Sequence, residues 1–234
     1  MNDREIILGR IRDSLGKNRA MLEREAAKVG GGYPEGPFLA SLLTPVQQFT
    51  AELEALHGHV HRCATPDEAR AKLRSLLASH EVDTALHWDP AELPLRGLDT
   101  ILDELAIRTA DGATLGAADR RARLLALEPV PICISGADAA IAESGSIVVM
   151  SGPGRPRLAS LLPPIHIALL PEECIVRTLP EAFDLLRRRW GSEVVQRRSN
   201  LTVITGPSRS ADIEQSLTLG VHGPKEVHVV TWQP

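Results

Sequence analysis

The sequence predicts an α/β domain whose mostly parallel sheet is covered by helices on both faces. Three observations lead there. Short apolar runs rich in β-branched residues, such as Pro131-Ile-Cys-Ile-Ser135, Ser146-Ile-Val-Val-Met150 and Val227-His-Val-Val-Thr-Trp232, alternate with helix-like segments, the order that builds parallel sheets. Helix starts are marked by capping residues. The 234 residues are 43% hydrophobic but only 3% aromatic, so a sizeable core must be built from Leu, Ile, Val and Ala.

Taken in order, residues 3–28 carry Ile7, Leu8, Ile11, Leu15 and Leu22 at helical spacing, an amphipathic stripe that needs a partner surface. Gly30-Gly-Gly-Tyr-Pro-Glu-Gly-Pro37 ends it. Residues 1–36 are therefore expected to be a helical extension with a linker, and 37–234 the α/β domain; the extension could pack on the body or form a homodimer contact. Thr44-Pro45 caps a helix in which Val46, Phe49, Leu53 and Leu56 recur. His59–Cys63 reads as a strand, and Thr65-Pro-Asp-Glu68 is a capping box opening a helix to about Ser79. Thr84–Trp88 is strand-like, residues 89–118 are irregular, and a helix follows to about Leu127. Strands are expected at 131–135, 146–150 and 165–170, a short helix or turn at 137–142, a short helix at 157–162 and a longer one at 181–190. The end of the chain reads as strand 201–205, loop 206–210, helix 211–219, loop 220–226 and strand 227–232.

A net charge of −4 argues against a general nucleic-acid binder, and the arginine clusters at 120–123 and 187–189 read as solvated helix faces. No apolar run reaches membrane-spanning length, and the N-terminus lacks a signal-peptide core. Cys63, Cys133 and Cys174 are widely spaced, as expected of free thiols in a reducing, cytoplasmic setting and unlike the tight thiolate pattern of an iron–sulfur site. His57, His59 and His61 alternate, but no acidic or cysteine partner lies near them in sequence, so no metal site is expected.

The candidate chemistry gathers in three loops and one turn. Glu143-Ser144-Gly145-Ser146 places a carboxylate at a strand edge, where it could act as base or nucleophile, or satisfy backbone N–H groups. Gly206, Ser208, Arg209 and Ser210 would present amides and a guanidinium to an anion at a helix start, with Ser210 as N-cap and Asp212 in the first turn. His222, Gly223 and Lys225 add an imidazole that could shuttle a proton and an ammonium group. Arg155, in the Gly-Pro-Gly loop after the 146–150 strand, is a further anion ligand. Asp138 reads as a cap on the short helix, and His166 as a core or edge histidine.

The stretches Ala137-Asp-Ala-Ala-Ile-Ala-Glu-Ser-Gly-Ser-Ile147, Gly206-Pro-Ser-Arg-Ser-Ala-Asp-Ile-Glu214 and Gly220-Val-His-Gly-Pro224 resemble the motifs of the LUD family of lactate-utilisation proteins, and the length resembles its C-type subunit. The resemblance spans about residues 40–232. It implies a NagB/RpiA/CoA-transferase-like fold and a non-redox subunit role in oxidising L-lactate to pyruvate. It further implies iron–sulfur clusters in partner subunits; with no ferredoxin-like cysteine motif in this chain, no cofactor is expected here, and a small anion is expected at the loops after residues 142 and 205. The alternative is a stand-alone enzyme of the CoA-transferase, sugar-phosphate isomerase or formyltetrahydrofolate cyclo-ligase kind, using Glu143.

Overall fold

Helices begin where the caps lie. In a computed structural model, α1 (Pro45–Ala55) starts at Thr44, whose hydroxyl accepts the Gln47 N–H while the Gln47 side chain accepts the Thr44 N–H at 2.9 Å. In α2 (Pro66–Ser79) the Thr65 hydroxyl accepts the Glu68 N–H, and Glu68 reaches back to the Ala64 N–H at 2.8 Å. These contacts satisfy donors that a helix start leaves open. The structure describes residues 4–5, 7–10, 12–14, 16–17, 19, 21, 42–110, 120–191, 198–211, 217–220 and 222–233. Residues 1–41 form one unit, helical at its described positions between 4 and 21, and residues 42–234 form the other.

The second unit is built on six parallel strands: β1 (His59–Cys63), β2 (Thr84–His87), β3 (Arg108–Ala110), β4 (Ile132–Gly136), β7 (Ile165–Pro171) and β12 (Glu226–Trp232). They lie in the order β1-β12-β7-β4-β2-β3. Every residue of β4, of Ile165–Leu170 and of Val227–Trp232 is buried. Successive side chains point to opposite faces, so both faces are covered, as the unbroken apolar runs require. Removing an aliphatic side chain of this size from water contributes about 1.5–3 kcal/mol. Phe49, Trp88 and Trp232 are the few aromatic groups joining the Ile, Leu and Val core.

A second sheet holds β5 (Ala139–Ile141), β6 (Ser146–Ser151), β8 (Ile175–Val176) and β9 (Asn200–Thr205), ordered β8-β5-β6-β9. Here β6 runs antiparallel to both β5 and β9. This corrects three expectations. Residues 139–141 are extended rather than helical. The 201–205 run is not a buried parallel strand: Leu201 and Val203 are exposed, and alternation marks it as an antiparallel edge. Residues 209–211 (β10) and 217–219 (β11) form an antiparallel ladder instead of one helix, pairing Arg209 with Leu219 and Ala211 with Leu217. Ser216-Leu-Thr-Leu219 alternates with period two, which suits a strand better than a helical stripe. The irregular segment also holds structure: α3 (Leu98–Glu104) and β3. Helices α4 (Arg120–Leu127) and α5 (Leu179–Trp190) lie where expected. Among the described residues, no helix is long and apolar enough to cross a membrane.

His166, fully buried on β7, is a core histidine whose Nε2 lies 2.8 Å from the Ser135 hydroxyl. Burial pushes it down to about 4 from its ordinary 6.5, and burial likewise holds His61 at about 4 and His228 at about 3. A depressed imidazole pKa means that the unfolded chain binds protons first as pH falls, so stability declines with acid. From His166 alone, the unfolding free energy should drop by about 3 kcal/mol between pH 6.5 and 4. Denaturant titrations across that window check this. A flat profile would mean that the imidazole is not desolvated.

Candidate functional site

The carboxyl ends of β2 and β4 open onto a cleft of about 310 Å³ whose lining includes Trp88, Glu92, Arg96, Asp138, Arg155, Arg189 and Trp190. Such sheet ends are where α/β folds collect ligands. Arg155 is held in place by its turn: its N–H donates to the Gly152 carbonyl at 2.9 Å, and Gly154 adopts φ +70°, where an added Cβ would press on Asp89 and Glu92. The turn delivers an arginine whose side chain is only 7% exposed. Its Nη1 donates to Asp138 Oδ1 at 2.8 Å and its Nε to Glu92 Oε2 at 2.7 Å, while its Cζ sits 4.6 Å from the centre of the Trp88 ring. Asp138, 1% exposed, also accepts the Met150 N–H at 2.9 Å. It is no helix cap; it is the buried counter-ion of Arg155.

Arg198 stacks 4.2 Å from the Trp190 ring and reaches within 3.6 Å of Glu92. Burial, then the neighbouring Arg155 charge, holds its guanidinium below the usual arginine value. Among the described residues, Arg96, Arg155 and Arg189 line the cleft and Arg198 lies beside it, against two lining carboxylates, Glu92 and Asp138. An anion would relieve that excess, with Trp88 and Trp190 shielding it from water.

The predicted loops do converge, though on helix ends. Ser146 pairs with Thr205 across β6 and β9, and the hydroxyls of Ser144, Ser146 and Thr205 form a chain with 2.8 Å links. Gly145 and Gly206 are where α1 docks: a Cβ on Gly145 would lie 2.5 Å from the Leu53 nitrogen, and one on Gly206 would lie 3.0 Å from Leu56 Cβ. The Arg209 guanidinium donates to the Leu56 carbonyl, answering an orphan acceptor at the end of α1. Glu143 Oε1 accepts the Leu179 N–H at 2.8 Å, placing negative charge at the start of α5.

Residues 209–211 are a strand, so no helix starts at Ser210, which pairs with Thr218 rather than acting as an N-cap. Asp212 lies outside the described residues. The Ser208 N–H donates to Pro224, beside Gly223, and Lys225 sits 3.9 Å from Glu226. His222 is exposed. Of the residues singled out from sequence, Arg155, as an anion ligand, and Asp138, as a cap, lie in the cleft. Trp88, Glu92, Arg189, Trp190 and Arg198 were missed, although two of only three tryptophans were a signal.

A family model described as the LUD domain matches residues 46–231. The chain belongs to the LUD-domain family. This LUD protein is similar to lactate utilization protein C of Bacillus pumilus, 30% identical over 228 residues that cover 96% of this chain and 94% of the relative. The corresponding protein of a Geobacillus species is 31% identical over 76% of this chain and 77% of its own. Among solved structures, a DUF162-family protein from Deinococcus radiodurans matches with a TM-score of 0.55 at 20% identity, covering 81% of this LUD protein and 99% of that chain. It shares the fold.

Proposed function

We propose that this chain is a non-redox subunit of a system that oxidises L-lactate to pyruvate, and that its cleft holds a small carboxylate. The pathway is taken from the relatives' name; the observation behind the ligand is the guanidinium excess around the Trp88–Arg155 cleft. About 310 Å³ is at the low end for small-molecule sites and suits a three-carbon acid. Paired N–H donors of arginine match a carboxylate's two oxygens.

The electrons are handled elsewhere in this reading, by iron–sulfur subunits. Cys63, Cys133 and Cys174 are all buried and free, on separate elements. Burial pushes the Cys133 thiol well up from its ordinary value, whereas cluster ligands are thiolates. The stand-alone enzyme reading needs a free Glu143, and that carboxylate is engaged at the start of α5.

Calorimetric titration of the full chain with pyruvate and with L-lactate tests the ligand. Arg189→Gln removes one cleft cation and should weaken binding at least tenfold, the loss of one charge-assisted hydrogen bond, with little change in Tm. Equal affinity in the variant would remove Arg189 from the site. For the pathway, a deletion strain that grows normally on lactate, with no iron–sulfur protein recovered on affinity purification, would overturn the subunit reading.

A further inference from the structure

At the opposite, amino-terminal end of the parallel strands lies a histidine cluster that the proposed function does not use. Glu226 and His228 open β12, His59 and His61 open β1, and His80 caps the carboxyl end of α2. Strand register places His59 beside His228, with the rings stacked at 4.7 Å. The donor atoms of His80, Glu226 and His228 all lie within 4.8 Å of one another.

The His228 side chain is 8% exposed, and its Nε2 is buried without a hydrogen-bond partner. That nitrogen points toward Glu226 Oε2, 3.8 Å away. The other ring nitrogen, Nδ1, lies 3.1 Å from His61 Nε2. If Nδ1 carries the proton and donates to His61, Nε2 presents a bare lone pair to a carboxylate. Two lone-pair donors facing each other across a gap too long for a hydrogen bond are unfavourable unless a cation lies between them.

We propose that His80, Glu226 and His228 form a binding site for a divalent transition-metal ion of the zinc class. Two imidazoles and one carboxylate with a fourth position for water is a donor set that suits Zn²⁺, whereas Mg²⁺ and Ca²⁺ require oxygen ligands. Ligand atoms about 2.0–2.1 Å from a tetrahedral ion stand roughly 3.3 Å apart. The 3.8 Å gap is near that value, and His80 and Glu226, both half-buried, can close the rest. His61 orients the ligating ring through its second nitrogen, as outer-shell partners of metal-bound histidines do. Lys225 sits 3.9 Å from Glu226 Oε1, leaving Oε2 for the ion. The exposed His59 marks the way in from solvent. In sequence, His59 and His61 have no acidic partner nearby; the β1–β12 pairing supplies one.

The ion would tie β12 to the carboxyl end of α2, with β1 joined only through the His61–His228 contact, remote from the cleft. The test is titration of chelator-treated full-length protein with zinc sulfate, followed by calorimetry, and with cobalt chloride, followed by its visible d–d absorption. One ion per chain, a raised Tm and a low-coordinate cobalt spectrum are expected. His228→Ala could fail to fold, so Glu226→Gln and His80→Ala carry the test; each should weaken binding at least tenfold, while His57→Asn should leave it unchanged. No saturable one-to-one binding, or equal affinity in Glu226→Gln, His80→Ala and the native chain, would overturn the proposal.

Discussion

Asp138→Ala should destabilise the protein by about 3–5 kcal/mol, the loss expected when a buried charge pair is broken from one side. The Asp138 and Arg155 side chains are 2% and 7% exposed, so water cannot replace the lost carboxylate. Glu92 still neutralises part of Arg155, but the Met150 N–H also loses its acceptor. Asp138→Asn keeps an acceptor for that N–H and removes only the charge, so its effect should be smaller. Arg155→Met should be comparably harmful, because it strands the carboxylate. The double replacement Asp138→Leu with Arg155→Met should cost less than the two single changes summed, since neither leaves a buried charge behind. Urea midpoints at unchanged m-value measure these effects. If Asp138→Ala stayed within about 0.5 kcal/mol of the native chain, the pair would not be desolvated.

Gly145→Ala should also be severe, by about 2–5 kcal/mol, from left-handed backbone strain together with overpacking. Its φ is +61°, and the new methyl would meet the Leu53 nitrogen at 2.5 Å, the Glu52 carbonyl carbon at 2.7 Å and Leu53 Cα at 2.8 Å. These are backbone atoms of α1 and cannot rotate aside, so the helix must lift from the turn and expose Phe49 and Leu53, which it buries. Gly97→Ala is the control. It shares the left-handed backbone, with φ +95° and ψ 15°, but its added Cβ would meet only the flexible Arg70 side chain, at 3.3 Å. It should show strain alone, on the order of 1 kcal/mol. Equal losses at the two positions would refute the close docking of α1.

These two sites show where the sequence was readable. Glu143, Gly145, Gly206 and Arg209 stood out because glycines and charges at strand ends are unusual for a plain core. They do cluster, as the family motifs imply, yet each is engaged by a helix end: Gly145, Gly206 and Arg209 by α1, and Glu143 by α5. A glycine that admits a helix backbone and one that admits a ligand look the same in sequence, since both merely lack a Cβ. Asp138 was misread for a related reason. An acidic residue after Gly-Ala suits a cap, and nothing local shows that an arginine seventeen positions later will fold onto it.

What the amino-acid order determined by itself was local: the starts of α1 and α2, the buried strands β4, β7 and β12, the aliphatic core and membership in a family. Caps, apolar periodicity and β-branched runs act over a few residues, so they can be read without knowing the rest of the chain. Only the tertiary structure decided that β6 and β9 belong to a separate antiparallel sheet and that residues 209–211 and 217–219 pair as a ladder. It alone placed Arg155 between Asp138 and Trp88, and brought His80 and His228 together across 148 positions of sequence. Strand direction and charge pairing depend on which distant surfaces are buried against each other, and that free energy is set by the whole packed core.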